Sequence, residues 1–159
     1  MPASALQTAV DEFLACRRIA VAGVSRKPEQ PANLIYRKLR SLEYEVFPIN
    51  PKAQEVEGDR AYLALAEIEP APDAVVIATH PDATPEVAQQ CIDAGIDRVW
   101  MHRFVGKGSV HPEAVERLRE HGVTVIDGAC PMMYLPPVDV PHRCFRFLLR
   151  CTGGLPRPA

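Results

Sequence analysis

The chain has 159 residues, 47% of them hydrophobic and 24% charged, with 16 prolines, 9 glycines and a formal net charge of −2. That length suits one domain of ordinary size, burying about 68–70% of its unfolded surface, and argues against a two-domain enzyme. It excludes a disulfide-stapled miniprotein, and the apolar content excludes a disordered chain. The small net charge excludes bulk attraction of the whole chain to nucleic acid or to an anionic membrane.

The elements follow in chain order. Ser4 can cap a first helix through Cys16, with Leu6, Ala9, Val10, Phe13 and Leu14 on one face. Arg18–Gly23 is a short apolar run ending in glycine, the pattern of a buried parallel strand. Pro31–Leu42 spaces Leu34, Ile35, Leu39 and Leu42 as a helix does. Tyr44–Asn50 is a second strand, against which Pro48 argues, because proline removes a ladder donor. A short helix is expected over Tyr62–Ala66, then a third strand over Asp73–Ala78. Thr84–Ala94 is a helix with Pro85 near its start and Gly95 just past its end. A strand at Asp97–Met101, a helix at Pro112–His121 closed by Gly122, and a strand at Val123–Asp127 complete the alternation. His142–Cys151 has the pattern of a final amphipathic helix, with Thr152–Ala159 as a frayed end.

Strands alternating with helices predict βαβ units and an α/β fold: a doubly wound, mostly parallel sheet of about five strands with helices on both faces. The reading is a single domain over residues 1–159, with a core of about 17–135.

Charge is unevenly placed. No acidic residue follows Asp139, whereas Arg143, Arg146, Arg150 and Arg157 do, so the tail from His142 is +4 and residues 1–141 carry −6. Four arginines without an aromatic-rich groove or a recognised module do not make a nucleic-acid or membrane-binding surface. The tail is expected to dock on the body, with its arginines meeting acidic surface. The 5 cysteines are an odd number, widely spaced, with no zinc-type spacing. The start lacks signal-peptide character, and no apolar run approaches the ~20 residues of a membrane span. A reducing, cytoplasmic setting is the expectation.

In doubly wound folds ligands lie at the carboxyl ends of the strands, so function is sought in the segments that follow them. After the first strand comes Gly23-Val24-Ser25-Arg26-Lys27-Pro28. A dinucleotide site wants three glycines here, and only Gly23 fits. Ser25 and neighbouring amides can still bind an anion at the next helix start, where the macrodipole, Arg26 and Lys27 add positive charge. After the second strand comes Asn50-Pro51-Lys52, where an NAD site would place a carboxylate for the ribose diol. A neutral and a cationic residue suit a phosphorylated ribose instead, as in NADP or the 3′-phosphate of coenzyme A. After the third strand come Thr79, His80 and Pro81, with His80 read first as structural or solvated and only second as a base. His102 reads the same way. Cys130, before Pro131, reads first as a small buried apolar residue and second as a reactive thiol lacking a base in view. No acid–base pair stands out, so no catalytic residue and no metal ligand is assigned.

Gly23-Val24-Ser25-Arg26, Val46-Phe47-Pro48-Ile49-Asn50-Pro51-Lys52 and Asp127-Gly128-Ala129-Cys130-Pro131, in that order and spacing, resemble the small stand-alone CoA-binding domain proteins. Their fold is similar to the CoA-binding domain of the succinyl-CoA synthetase α subunit. The resemblance runs from about Arg17 to Leu135. It implies a Rossmann-like domain holding coenzyme A across the strand ends, with Gly23, Ser25 and Arg26 lining a phosphate loop. It places Pro51 and Lys52 toward the adenosine 3′-phosphate, and His80 and Pro81 beside the adenine or pantetheine path. A proline in the second strand is also in keeping with it.

The expected site is therefore Gly23, Val24, Ser25, Arg26, Lys27, Asn50, Pro51, Lys52, Thr79, His80, Pro81, Cys130 and Pro131. The expected ligand is coenzyme A or an acyl-CoA, bound more in the manner of a binding protein than of an enzyme. The alternatives are an NADP-dependent reductase or a ligase-like subunit that needs a partner chain. A homodimer or another protein partner stays open. Pro28, Pro31, Pro51, Pro81, Pro85 and Pro131 all fall just after strands or at the helix starts that follow. Proline fixes φ, so these junctions predict a preformed cleft rather than a mobile lid.

Overall fold

A computed structural model describes residues 5–156. The proposed Ser4 cap lies outside them. Five parallel strands form the main sheet: β1 (Arg18–Ala22), β2 (Glu45–Ile49), β5 (Ala74–Ile77), β6 (Arg98–Met101) and β7 (Thr124–Asp127). Their order is β2-β1-β5-β6-β7. The chain leaves β1 toward one edge and returns on the other side, which is the strand-order reversal of a doubly wound sheet. Helices α1 (Ala5–Leu14), α2 (Pro31–Ser41), α3 (Thr84–Asp93) and α4 (Pro112–Glu120) cover it. The Rossmann-like α/β expectation is correct.

The two-residue strand period divides the core. Ile19, Val21, Ala74, Val76, Trp100 and Ile126 face one side and pack with α1 and α2 through Val10, Phe13, Ile35, Tyr36 and Leu39. Ala20, Ala22, Val75, Ile77, Val99, Met101 and Val125 face the other, against Val87, Cys91, Val115 and Leu118 of α3 and α4. Burial on both faces is why these strands are apolar runs rather than alternating ones. Trp100 is fully buried, donates its indole N–H to the Gly128 carbonyl (2.9 Å), and meets the Phe13 ring edge-on at 5.4 Å.

Pro48 causes no conflict, because β2 is an edge strand. Pro48 pairs with Val21 in register, and its carbonyl points outward to accept from Tyr62 N–H (2.9 Å). N and C=O of one strand residue share a side, so the missing N–H also faces outward, where the β1 ladder asks for no donor.

Three local expectations need correction. The helix expected at Tyr62–Ala66 is a single 3-10 turn at Leu65–Glu67, and Tyr62 instead bridges the outer side of β2. A small hairpin, β3 (Glu55–Val56) and β4 (Asp59–Arg60), went unread; its turn holds Glu57 and Gly58 at φ 54° and 80°. Such turns usually announce themselves with Asn-Gly or Asp-Gly, and Glu-Gly does not. The last helix, α5 (Val140–Thr152), starts earlier than expected because Asp139 caps it, accepting from the His142 N–H (2.9 Å).

The docking of α5 is partial and not acidic. Phe145 and Leu149 pack on Cys130, Met133 and Ala129, while Phe147 and Leu148 remain exposed. Arg146 donates to the Met133 carbonyl (3.1 Å) and lies over the Tyr134 ring. Among the described residues no carboxylate lies within salt-bridge distance of Arg143, Arg146 or Arg150. The end is not frayed as far as Pro156: Leu155 packs on the body and Pro156 is buried. No helix among the described residues is long and apolar enough to cross a membrane.

Trp100→Ala removes the largest fully buried side chain and its hydrogen bond. It should cost about 3–5 kcal/mol in urea unfolding; a loss below 1 kcal/mol would show that the α1 face is not packed around this ring.

Candidate functional site

Every segment after a strand of the main sheet emerges at one edge. The loops after β1 and β5 lie side by side there, and Gly23 sets their spacing. A Cβ on Gly23 would stand 2.5 Å from the Ala78 carbonyl oxygen, and its φ is +101°. Only glycine permits both the close approach and that backbone conformation.

The β1 loop is clamped by a buried amide. Asn33, at the start of α2, is fully buried. Its Oδ1 accepts from Ser25 N–H (2.9 Å), and its Nδ2 donates to the Ser25 carbonyl and to Glu57 (both 2.7 Å). Ser25 Oγ accepts from Lys27 N–H (3.1 Å). The amides of Ser25 and Lys27 are thus used inside the loop. Those two amides are not free for an anion, and the exposed side chains of Arg26 and Lys27 are the cations at this turn.

Asn50 serves the same purpose one strand over. Its Nδ2 donates to the Val24 carbonyl and its Oδ1 accepts from Lys52 N–H (both 2.8 Å). It joins the two loops and fixes the turn that holds Pro51 and Lys52 out in solvent. Among the described residues no carboxylate lies within salt-bridge distance of Arg26, Lys27 or Lys52.

A cavity of ≈ 520 Å³ opens on the β5 and β6 side of this edge, lined by Gln30, Pro31, Ala78, Thr79, His80, Pro81, His102, Phe104, Val105, Gly108 and Ser109. Thr79, His80 and Pro81, three of the expected site residues, are in its wall. His80 itself is exposed, accepting from Asp82 N–H (3.4 Å) and lying 3.3 Å from the Asp82 carboxylate. It fits a solvated cap better than a base.

The β6 loop supplies lining that the sequence reading left out. Ser109 donates to the Thr79 carbonyl and Thr84 donates to the Ser109 carbonyl (both 2.7 Å), tying this loop to the β5 loop. Gly108, at φ +58°, lets the loop fold back on itself, since a Cβ there would lie 2.4 Å from the His102 oxygen. The spacing His102…Gly108-Ser109 after a strand was the available signal.

His102 is buried, and its pKa is pushed down to about 4, first by desolvation and second by the charge of His142. At neutral pH it is an uncharged ring in the cavity wall. Cys130 and Pro131 do not line the cavity. Cys130 packs with Phe104 in the cluster on which α5 docks, and Pro131 is buried in the 3-10 turn that follows. Burial raises the Cys130 thiol to about 12. Among the described residues no group of three or more His, Cys, Asp or Glu is placed to hold a metal ion.

Two outcomes follow. Asn33→Leu keeps the volume but strands the Ser25 N–H and carbonyl, and should cost roughly 1–3 kcal/mol of stability in denaturant unfolding; an unchanged midpoint would deny the clamp. His102 binds its proton more weakly folded than unfolded, so its contribution is fully present above about pH 6.5 and is lost as pH falls toward 4. The melting temperature should therefore drop across that window, and His102→Gln should flatten the drop; an equal drop in the variant would contradict the assignment.

A family model described as CoA binding domain matches residues 17–136. The uncharacterized protein YneT of Bacillus subtilis is 31% identical over 114 residues, covering 72% of this chain and 82% of that protein. The alpha subunit of the ADP-forming acetate–CoA ligase II of Pyrococcus furiosus is 27% identical over 129 residues, 76% of this chain but only 28% of the subunit. A solved structure of a hypothetical protein from Pyrococcus horikoshii superposes with a TM-score of 0.72 at 30% identity, covering 79% of this chain and 86% of that one. With a family match over most of its length and a shared fold, the chain belongs to the CoA-binding domain family.

Proposed function

We propose that the chain binds coenzyme A, or an acyl-CoA, along the carboxyl edge of its sheet, and that binding rather than turnover is the role of this cleft. The observation that carries the reading is the division of that edge. Three exposed cations, Arg26, Lys27 and Lys52, stand at the β1 and β2 ends, and a cavity of largely apolar walls stands at the β5 and β6 ends. Coenzyme A has the same division: a charged 3′-phosphoadenosine diphosphate at one end and a thin, weakly polar pantetheine arm at the other. The family membership supports the same assignment.

The polarity of the fit follows. Lys52 sits where the 3′-phosphate would lie, Arg26 and Lys27 face the diphosphate, and the pantetheine arm runs past His80 and Pro81 toward His102 and Phe104. Asn50 replaces the carboxylate that would grip a ribose diol, which weighs against NAD. The Ser25 amide held by Asn33, and the absent second and third glycines, weigh against close pyrophosphate packing of the NADP-reductase kind. The cavity wall offers a neutral His102 and a solvated His80, not a base paired with an acid. Relatives of this chain include a ligase alpha subunit, so a protein partner that supplies chemistry is part of the proposal's scope.

Calorimetric titration tests it. CoA should bind and raise the melting temperature by several degrees at a hundredfold excess over Kd, where linkage predicts about 2.7 kcal/mol. Lys52→Glu should weaken CoA about tenfold and dephospho-CoA much less. Tighter binding of NADPH than of CoA, or no thermal shift at millimolar CoA, would overturn the reading.

A further inference from the structure

Cys130 has the base that the sequence did not show. Its Sγ lies 3.8 Å from His142 Nε2. The other ring nitrogen of His142 is 2.7 and 2.8 Å from the two carboxylate oxygens of Asp139. Nucleophile, base and orienting carboxylate thus stand in line, with the base touching the nucleophile and the carboxylate fixing the tautomer. His142 and Asp139 both lie beyond residue 136, outside the stretch matched by the family model. The tail completes the constellation by docking α5 over the Cys130 cluster.

One ring separates this constellation from the cleft. Phe104 lines the cavity on one side. On the other its centroid is 5.2 Å from His142 and 4.4 Å from Phe145. The end of an arm lying in the cavity reaches Phe104 before it reaches Cys130.

We propose that Cys130, His142 and Asp139 form a thiol–disulfide exchange site that takes a disulfide of coenzyme A; the choice of ligand rests on the CoA reading of the cleft. Cys130 is too buried to ionise unaided, so its proton must pass to a group in contact, and His142 is that group. The step balances as follows. Cys130 Sγ gives its proton to His142 Nε2 and attacks the sulfur of the CoA half. The Sγ–S bond forms, the ligand's S–S bond breaks, and the departing thiolate takes the proton from His142 and leaves as a thiol. Cys130 is oxidised to a mixed disulfide, and the departing sulfur is reduced. Asp139 acts through His142 and is a positioning residue.

The surroundings favour disulfide over thioester chemistry. An acyl-transfer intermediate needs N–H donors for its oxyanion, commonly including the residue after the nucleophile. That residue is Pro131, which has no N–H to offer. Disulfide exchange places its charge on sulfur alone and needs no such hole.

The test is peptide-resolved mass spectrometry during incubation of the full chain with CoA disulfide, with CoA binding measured in parallel by calorimetry. Exposed Cys144 and Cys151 serve as internal controls. Cys130 should gain one CoA. His142→Gln should slow that modification at least tenfold while leaving Cys144 and Cys151 unchanged. Asp139→Asn retains a helix cap but removes the carboxylate, and should slow Cys130 with the melting temperature held. Phe104→Ala should speed it. CoA that binds calorimetrically while Cys130 stays unmodified, or an unchanged Cys130 rate in His142→Gln, overturns the thiol site and leaves the CoA reading standing. A flat calorimetric titration instead overturns the reading on which the choice of ligand rests.

Discussion

The structure depends on one constraint: β1 is a parallel strand closed in on every side. β2 and β5 flank it in the sheet, and helices cover both faces, so Ile19, Ala20, Val21 and Ala22 have almost no exposed surface. A chain leaving such a strand must emerge at the sheet's carboxyl edge. It goes one way to β2 and comes back on the other side as β5, which puts two diverging loops at the same point. Gly23 keeps them in contact with each other, because any side chain there would collide with Ala78. The cleft follows from that divergence.

Rigidity at this edge comes more from two side-chain amides, one buried and one half-buried, than from proline. Asn33 and Asn50 satisfy backbone groups in loops that could not otherwise be satisfied away from water. Glu57 joins the same network by accepting from Asn33 and Arg37, which ties the β3–β4 hairpin to α2. The prolines have a narrower role. Pro31 and Pro81 form part of the cavity wall and Pro85 opens α3, while Pro28 and Pro51 are simply exposed. With the Ser25 and Lys27 amides engaged internally, the turn presents the side-chain cations Arg26 and Lys27 to solvent.

The layers of the fold could be read from the sequence because burial on both faces leaves an unmistakable mark. Runs such as Ala74-Val75-Val76-Ile77 suit little else. The β3–β4 hairpin was not readable, since each strand is two residues long and the turn uses Glu57 where Asn or Asp is usual. Part of the cleft was readable from position after a strand: Thr79, His80 and Pro81 are in its wall. Phe104 and Ser109 were not, because their place depends on a loop that folds back at Gly108. The Cys130–His142 contact depends on how α5 docks, and no local pattern encodes the meeting of residues twelve apart across a turn. Serine at position 25 suggested an anion nest, but the amide it would offer is taken by a buried side chain eight residues on.

The tail gives the molecule a second character. Its inner face covers Cys130, while its outer face leaves Phe147 and Leu148 in solvent. The sheet edge proposed as the CoA site and the helix that sets His142 beside the buried Cys130 are adjacent, with Phe104 between them. Backbone amide chemical-shift mapping during a CoA titration tests this arrangement most directly. Shifts concentrated in residues 23–30, 50–52, 78–83 and 102–109, small elsewhere, are the predicted result. Shifts that spare those four segments, or that fall chiefly on the outer face of α5, would contradict a ligand site at the carboxyl edge of the sheet.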